Sequence, residues 1–266
     1  MGNEKKETKQ KNEPPTGEKP KLPRAFWLAI MFEFFERGSY YGMMSILAVY
    51  FTDVLSFSKE SAGVILSVIQ PILYFLPIVA GALADRFGYR RALTVAFALL
   101  GTGYLLTSQV TSYEWVFLCL VVMALGAGTF KPIISGTIAR STTKENSSIA
   151  FGIFYWTINL GAFLFPLILV PTLKSTLGWN WVFVASAVGT GIMILPTLLF
   201  FKEPTKVADP KAPEVEEKKK DDEKEQIGLL QTLANAFEII YSPVVLLFAG
   251  LRGAMASPLI CGTLLL

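Results

Sequence analysis

The sequence predicts an all-α, membrane-spanning protein, and three observations carry that prediction. Of its 266 residues 52% are hydrophobic, which exceeds ordinary soluble usage. Six apolar runs lie at roughly 25–51, 61–84, 92–109, 114–138, 148–171 and 180–201, each of a length that crosses a bilayer as a helix. Short polar connections separate them, and the remaining charge gathers in the two tails.

In chain order, residues 1–24 are rich in Lys, Glu and Pro and are expected to form a disordered cytoplasmic N-terminus. Gly2 does not open a myristoylation signal, because Lys6 occupies the position that wants Ser or Thr. Nor is the start a secretory signal: the first apolar run is too long and follows two dozen polar residues.

The first run holds the stretch around which the chain is organised, Glu33-Phe34-Phe35-Glu36-Arg37-Gly38-Ser39-Tyr40-Tyr41-Gly42. Each charge within a bilayer costs at least ~2.5 kcal/mol on insertion scales. On a helix, Glu33, Glu36, Arg37, Tyr40, Tyr41 and Met44 share one face, because their spacings are three, four, seven and eight. Glu33 precedes Arg37 by four residues, the favourable order for an ion pair. Such a stripe is either a packing device or a proton and solute site, and intramembrane charge marks solute pathways.

Arg86, Arg90 and Arg91 crowd the second connection, and Arg140 and Lys144 mark the fourth. The odd connections hold only Lys59 and Lys174. Positive charge inside then places the N-terminus, the even connections and the charged tail in the cytoplasm of a multi-pass protein of the cell membrane. Residues 25–202 make one six-helix bundle, and 203–226 read as a charged cytoplasmic linker. Residues 227–241 repeat apolar side chains at helical spacing, as an amphipathic interfacial helix does. A seventh apolar run begins at 243 and reaches 266, with Arg252 inside it.

Lys131 stands in the fourth run before Pro132, about eight residues or ~12 Å from the cytoplasmic end. Glu33 lies at a similar depth in the first run, so Lys131 is expected to pair with Glu33 or Glu36 rather than snorkel to the interface. Pro132 breaks the hydrogen-bond ladder there. Asn159 in the fifth run reads as a buried amide able to donate and accept, either to a ligand or to a neighbouring helix.

Some classes drop out. There is no histidine, so any proton carried near neutral pH must ride on a carboxylate held away from water. Cys119 and Cys261 sit in apolar runs without disulfide or metal spacing and read as packing residues. No nucleophile–base set, phosphate loop or metal cluster is evident, so neither an enzyme nor a cofactor is expected. The small net charge of +3 says little about partners, and no nucleic-acid partner is expected.

The pattern Glu33-x-x-Glu36-Arg37-x-x-Tyr40-Tyr41-Gly42 resembles the signature of the proton-dependent oligopeptide transporters, a branch of the major facilitator superfamily. Three further stretches agree: Gly81-Ala82-Leu83-Ala84-Asp85-Arg86-Phe87-Gly88-Tyr89-Arg90-Arg91, the Lys131-Pro132 pair, and Phe154 to Phe163 around Asn159. Tyr74, eleven residues before Asp85, matches a pocket tyrosine of that family.

The resemblance covers residues 25–202 and implies the first half of a twelve-helix transporter, with substrate bound at mid-membrane between the halves. The chain is then a fragment or a truncated product. It further implies proton coupling through Glu33, Glu36, Arg37 and Lys131. Small-molecule or di- and tripeptide substrate would be lined by Tyr40, Tyr41, Tyr74, Asn159 and Met44. A cytoplasmic gate loop would comprise Gly81, Asp85, Arg86, Gly88, Arg90 and Arg91. Gly81 permits close helix approach, Gly88 a tight turn, and Asp85 can pair with an arginine or a helix N-terminus.

Three departures stand out. Gly38 replaces a family Phe, Ile133 a family Asn, and Met44 stands where peptide-transporting members often carry an Arg for the peptide carboxylate. The expected function is proton-coupled symport of short peptides or a related solute by alternating access. A facilitator of a non-peptide substrate and a non-transporting half-transporter are the alternatives.

Overall fold

The structure, a computed structural model, describes residues 22–204. The N-terminal segment up to residue 21, the linker beyond 204, the interfacial helix at 227–241 and the run at 243–266 with Arg252 and Cys261 lie outside the described residues. Within them every apolar run becomes a helical rod, and no strand occurs among the described residues.

Helix α1 spans Arg24–Val49 and continues as a π-helical turn, Tyr50–Val54. It starts one residue inside the segment expected to be disordered, with Pro23 in extended conformation ahead of it. Helix α2 spans Lys59–Phe87, and the Ser58 hydroxyl caps it by accepting the Ser61 N–H at 3.1 Å. Helices α3, Tyr89–Thr107, and α4, Tyr113–Arg140, follow. Helix α5, Ser147–Leu164, passes through a π turn at Phe165–Leu169 into α6, Val170–Thr176. The last rod combines α7, Asn180–Gly191, with α8, Ile194–Leu199.

Four of the six rods are long and apolar enough to cross a membrane: Lys59–Phe87, Tyr113–Arg140, Ser147–Thr176 and Asn180–Leu199. The other two, α1 and α3, fall short of that measure for a visible reason. Glu33, Glu36 and Arg37 interrupt α1, and α3 opens on Tyr89-Arg90-Arg91. Both are screened by neighbours: α1 packs on α5 and α7, and α3 on α4 and α7.

The core is a row of aromatic rings across three helices. Phe32 of α1 meets Phe97 of α3 edge-on at 5.3 Å between centroids, and Phe97 meets Phe130 of α4 at the same separation. Each such pair adds about 0.5–1.5 kcal/mol to its area burial. Cys119 is a buried free thiol on α4, as the packing reading requires. Polar links finish the bundle: the Ser186 hydroxyl of α7 donates to the Ser39 carbonyl of α1 at 3.2 Å. At the end of α1 the Tyr50 hydroxyl donates to Asn180 Oδ1 at 3.1 Å, and Asn180 Nδ2 donates to the Ser108 carbonyl at 3.0 Å. These fasten α1, α7 and the end of α3 where apolar packing alone carries no direction.

Candidate functional site

The stripe on α1 forms as its spacing requires. Arg37 Nε lies 2.5 Å from Glu36 Oε2 and 3.5 Å from Glu33 Oε1. The expected Glu33–Arg37 pair is present, but the adjacent Glu36 is the closer partner. Both carboxylates hold the same edge of the guanidinium, which stands 5.3 Å from the centre of the Tyr40 ring. Glu36 is completely buried and Glu33 nearly so, while the second Glu36 oxygen, Oε1, is buried without a hydrogen-bond partner.

In front of this triad lies a cavity. Arg37, Tyr40 and Tyr41 of α1 line one side; Gln70, Leu73 and Tyr74 of α2 and Ala127 and Lys131 of α4 line the other. Among the described residues two cations face it and no carboxylate does. Tyr41 and Tyr74 are exposed, Tyr74 by 69%, and mark its open side. Lys131 Nζ sits 5.7 Å from the centre of the Tyr74 ring.

Three expectations need correction. Lys131 makes no ion pair with Glu33 or Glu36; among the described residues its charge is set against Tyr74, although it lies within electrostatic range of Glu33. Arg37, on the same helix as the carboxylates, occupies them first. Met44 does not line the cavity but packs partly buried against the apolar core. Around the helix Met44 falls between Tyr40 and Tyr41, but it stands about one turn, ~5 Å, further along the axis, past the lining residues and against the core. Asn159 is exposed rather than buried, and its Nδ2 donates to the Tyr155 carbonyl of its own helix at 2.7 Å. It touches neither the cavity nor a neighbouring helix through that bond.

Gln70 was not foreseen by sequence. It is the only amide side chain in α2, stands one turn before Tyr74 and lines the same cavity as Tyr40. A lone amide in a run of Val, Ile and Leu is the signal that would have found it.

The second site lies where α2 meets α3. Gly88 holds φ +94°, a conformation that suits glycine and turns the chain between the two helices. Gly81 faces Pro132 of α4, where an added Cβ would stand 3.4 Å from the proline ring. Asp85 Oδ1 accepts from Arg140 Nη2 at 2.5 Å and from the Tyr89 hydroxyl at 3.0 Å. The Arg140 guanidinium lies 4.6 Å from the centre of the Tyr89 ring. So Asp85 pairs with an arginine, and the arginine comes from the end of α4. Arg90 donates through Nη2 to the Leu198 carbonyl. Arg86 and Arg91 are exposed.

Glu203 closes this end. Its Oε2 accepts the Tyr89 N–H at 2.9 Å and its Oε1 the Arg90 N–H at 3.0 Å. A carboxylate thus caps the α3 N-terminus, where the helix leaves free donors and a partial positive charge. Replacing Glu203 with Ala removes both bonds and is expected to lower stability by about 1 kcal/mol. Amide exchange of the first turn of α3 is the measurement, and unchanged protection would refute the cap.

The comparisons with known proteins bear on this architecture as a whole. The family model described as Major Facilitator Superfamily matches residues 26–265. The chain belongs to the major facilitator superfamily. It is therefore a multi-pass membrane protein, and the facilitator match continues past residue 202, where the motif resemblance stops.

Among curated facilitator relatives, dipeptide and tripeptide permease A of Pectobacterium carotovorum is 29% identical over 187 residues, covering 69% of this chain and 37% of that protein. The Yersinia pestis permease of the same name is 31% identical over 180 residues, covering 66% and 36%. A solved peptide transporter POT in complex with sulfate matches with a TM-score of 0.63 at 28% identity, over 89% of this chain and 48% of that one. The resemblance to oligopeptide transporters read from the motifs is thus borne out. The chain spans less than two fifths of the length of these two curated relatives.

Proposed function

We propose that this chain supplies the first half of a proton-coupled symporter of short peptides, working by alternating access. One observation carries the reading: two cations and three tyrosines line a single cavity, and two buried carboxylates sit directly behind one of those cations. A free peptide presents a carboxylate, an amine and a polarised backbone. Arg37 and Lys131 supply the charge its carboxylate needs in a site of reduced dielectric, without an arginine at position 44. Tyr40, Tyr41, Tyr74 and Gln70 supply aromatic faces and neutral hydrogen-bonding groups for the rest. The likeness to peptide permeases and peptide transporters points the same way.

Glu33 and Glu36 carry the proton. Arg37 shields them when ionised, and substrate drawing on Arg37 lowers that shielding, so that protonation and binding favour each other. Asp85, Arg140, Gly88 and Glu203 then form a latch at the cytoplasmic end, with the arginines of that connection holding the N-terminus inside. Met44 and Asn159 have no direct part in this scheme.

The test is gradient-driven uptake by the complete protein in proteoliposomes. Glu33→Gln and Glu36→Gln are each expected to abolish accumulation of a dipeptide under an imposed pH gradient while sparing exchange of labelled for unlabelled substrate. Accumulation at the parent level in both variants would overturn the coupling assignment.

A further inference from the structure

Two buried polar atoms on facing helices are left without partners. Glu36 Oε1 on α1 is one, and the Tyr104 hydroxyl on α3 is the other. Both residues are completely buried. Each unmade bond is unfavourable by about as much as a full hydrogen bond contributes. The packing brings the two together. Phe32, one turn before Glu36, rests on Phe97, two turns before Tyr104. Helical side chains lean toward the N-terminus, which carries the Tyr104 ring back toward the level of Glu36. The hydroxyl lies within electrostatic range of both Glu36 and Arg37.

We propose that Tyr104 is a positioning residue for Glu36: its hydroxyl is the partner Glu36 takes when Arg37 turns to substrate. The chemistry separates the two partners. A guanidinium only donates, so it suits an ionised carboxylate. A phenol both donates and accepts, so it serves a carboxylate as donor and a carboxylic acid as acceptor. Tyr104 therefore gives a protonated Glu36 somewhere to place its proton inside a dry bundle. The other titratable groups near Glu36 are Glu33, Arg37 and Tyr40 on α1; Lys131 on α4 lies within electrostatic range of Glu33 instead. Helix α7 carries no titratable residue, and the only one on α5 is Tyr155, which is exposed.

The inference rests on the proton-coupling reading above. In the complete protein, Tyr104→Phe removes the hydroxyl and keeps the ring. Without it the protonated Glu36 loses its partner while the ionised form keeps Arg37. Half-maximal dipeptide accumulation should then move to more acidic pH by about half a unit to one unit. The exchange rate and KM should stay near the parent's. A structural ring alone would leave the pH profile where it was.

Infrared difference spectra between high and low pH give a second readout that needs no transport. A protonated-carboxyl band that disappears in Glu36→Gln should move to higher wavenumber in Tyr104→Phe. If Glu36→Gln still accumulates dipeptide at the parent level, Glu36 does not carry the proton and the role of Tyr104 falls with it; if Glu33→Gln does so too, the coupling reading itself fails. If Glu36→Gln is inactive but Tyr104→Phe keeps both the parent pH profile and the parent band, the role of Tyr104 alone is refuted.

Discussion

Arg37→Gln is expected to destabilise the bundle by about 3–5 kcal/mol, the range found when one partner of a buried ion pair is removed. The Arg37 side chain is only 12% exposed, and the two carboxylates it holds are 5% and 0% exposed. Water therefore does little to replace it. Glutamine offers one amide where a guanidinium held two carboxyl groups, so most of the lost attraction goes unreplaced. A second substitution separates charge from shape. Glu36→Gln introduced beside Arg37→Gln removes one of the stranded charges and should recover a large part of the loss, with a coupling well above the ~0.5 kcal/mol error of additivity. Thermal unfolding in detergent micelles of the two single variants and the double variant measures this. A double variant no more stable than Arg37→Gln would show that burial, not the unpaired anion, sets the loss.

Gly38→Phe restores the residue that oligopeptide transporters usually carry at this point, and it is expected to damage this one. A Cβ on Gly38 would stand 2.5 Å from the ring carbons of Phe165. That ring comes from the π turn after α5 and meets Phe34 edge-on at 5.6 Å. The aromatic volume missing from α1 is thus supplied from α5. Forcing a second ring into the same space costs at least ~1–3 kcal/mol. Phe165→Ala empties the space instead and, because Phe165 is only half-buried, should cost less than the ~3–5 kcal/mol of a fully buried ring. Combining the two moves the ring from one helix to the other and should be more stable than either single variant. Parent-like unfolding of Gly38→Phe would mean that Phe165 does not hold this volume.

Much of this could be read before any coordinates. Helical spacing placed Glu33, Glu36, Arg37, Tyr40 and Tyr41 on one face because i, i+3 and i+4 neighbours meet whatever the tertiary fold. The turn at Gly88 and the pairing of Asp85 were legible because they follow from one residue's backbone freedom and another's charge. What failed depended on relations between helices. Lys131 stands at a sensible depth, yet depth does not say which of two cations reaches a carboxylate first. Met44 shares the stripe, but it stands a turn further along the helix than Tyr40 and Tyr41, and spacing around a helix does not say where along it a cavity ends. Asn159 found an acceptor four residues back on its own helix, an option open to any helical amide. Gln70 and Arg140 were visible as polar residues without any sign of what they would meet. Glu203 lay in a charged stretch that reads as solvated linker, and its partners are more than a hundred residues earlier.

That last separation bears on how the protein is made. Glu203 bonds to Tyr89 and Arg90 across 114 and 113 positions of chain. During synthesis the start of α3 is exposed long before its cap exists. Helices α1 to α4 can associate as they emerge, but the first turn of α3 stays open until the end of the sixth rod arrives. The carboxylate thus acts as a late fastener, tying the end of the sixth rod to the start of α3 only when the final residues of the unit have been translated. The unit is then complete in itself before any later segment docks, in keeping with domains that fold in turn from the N-terminus.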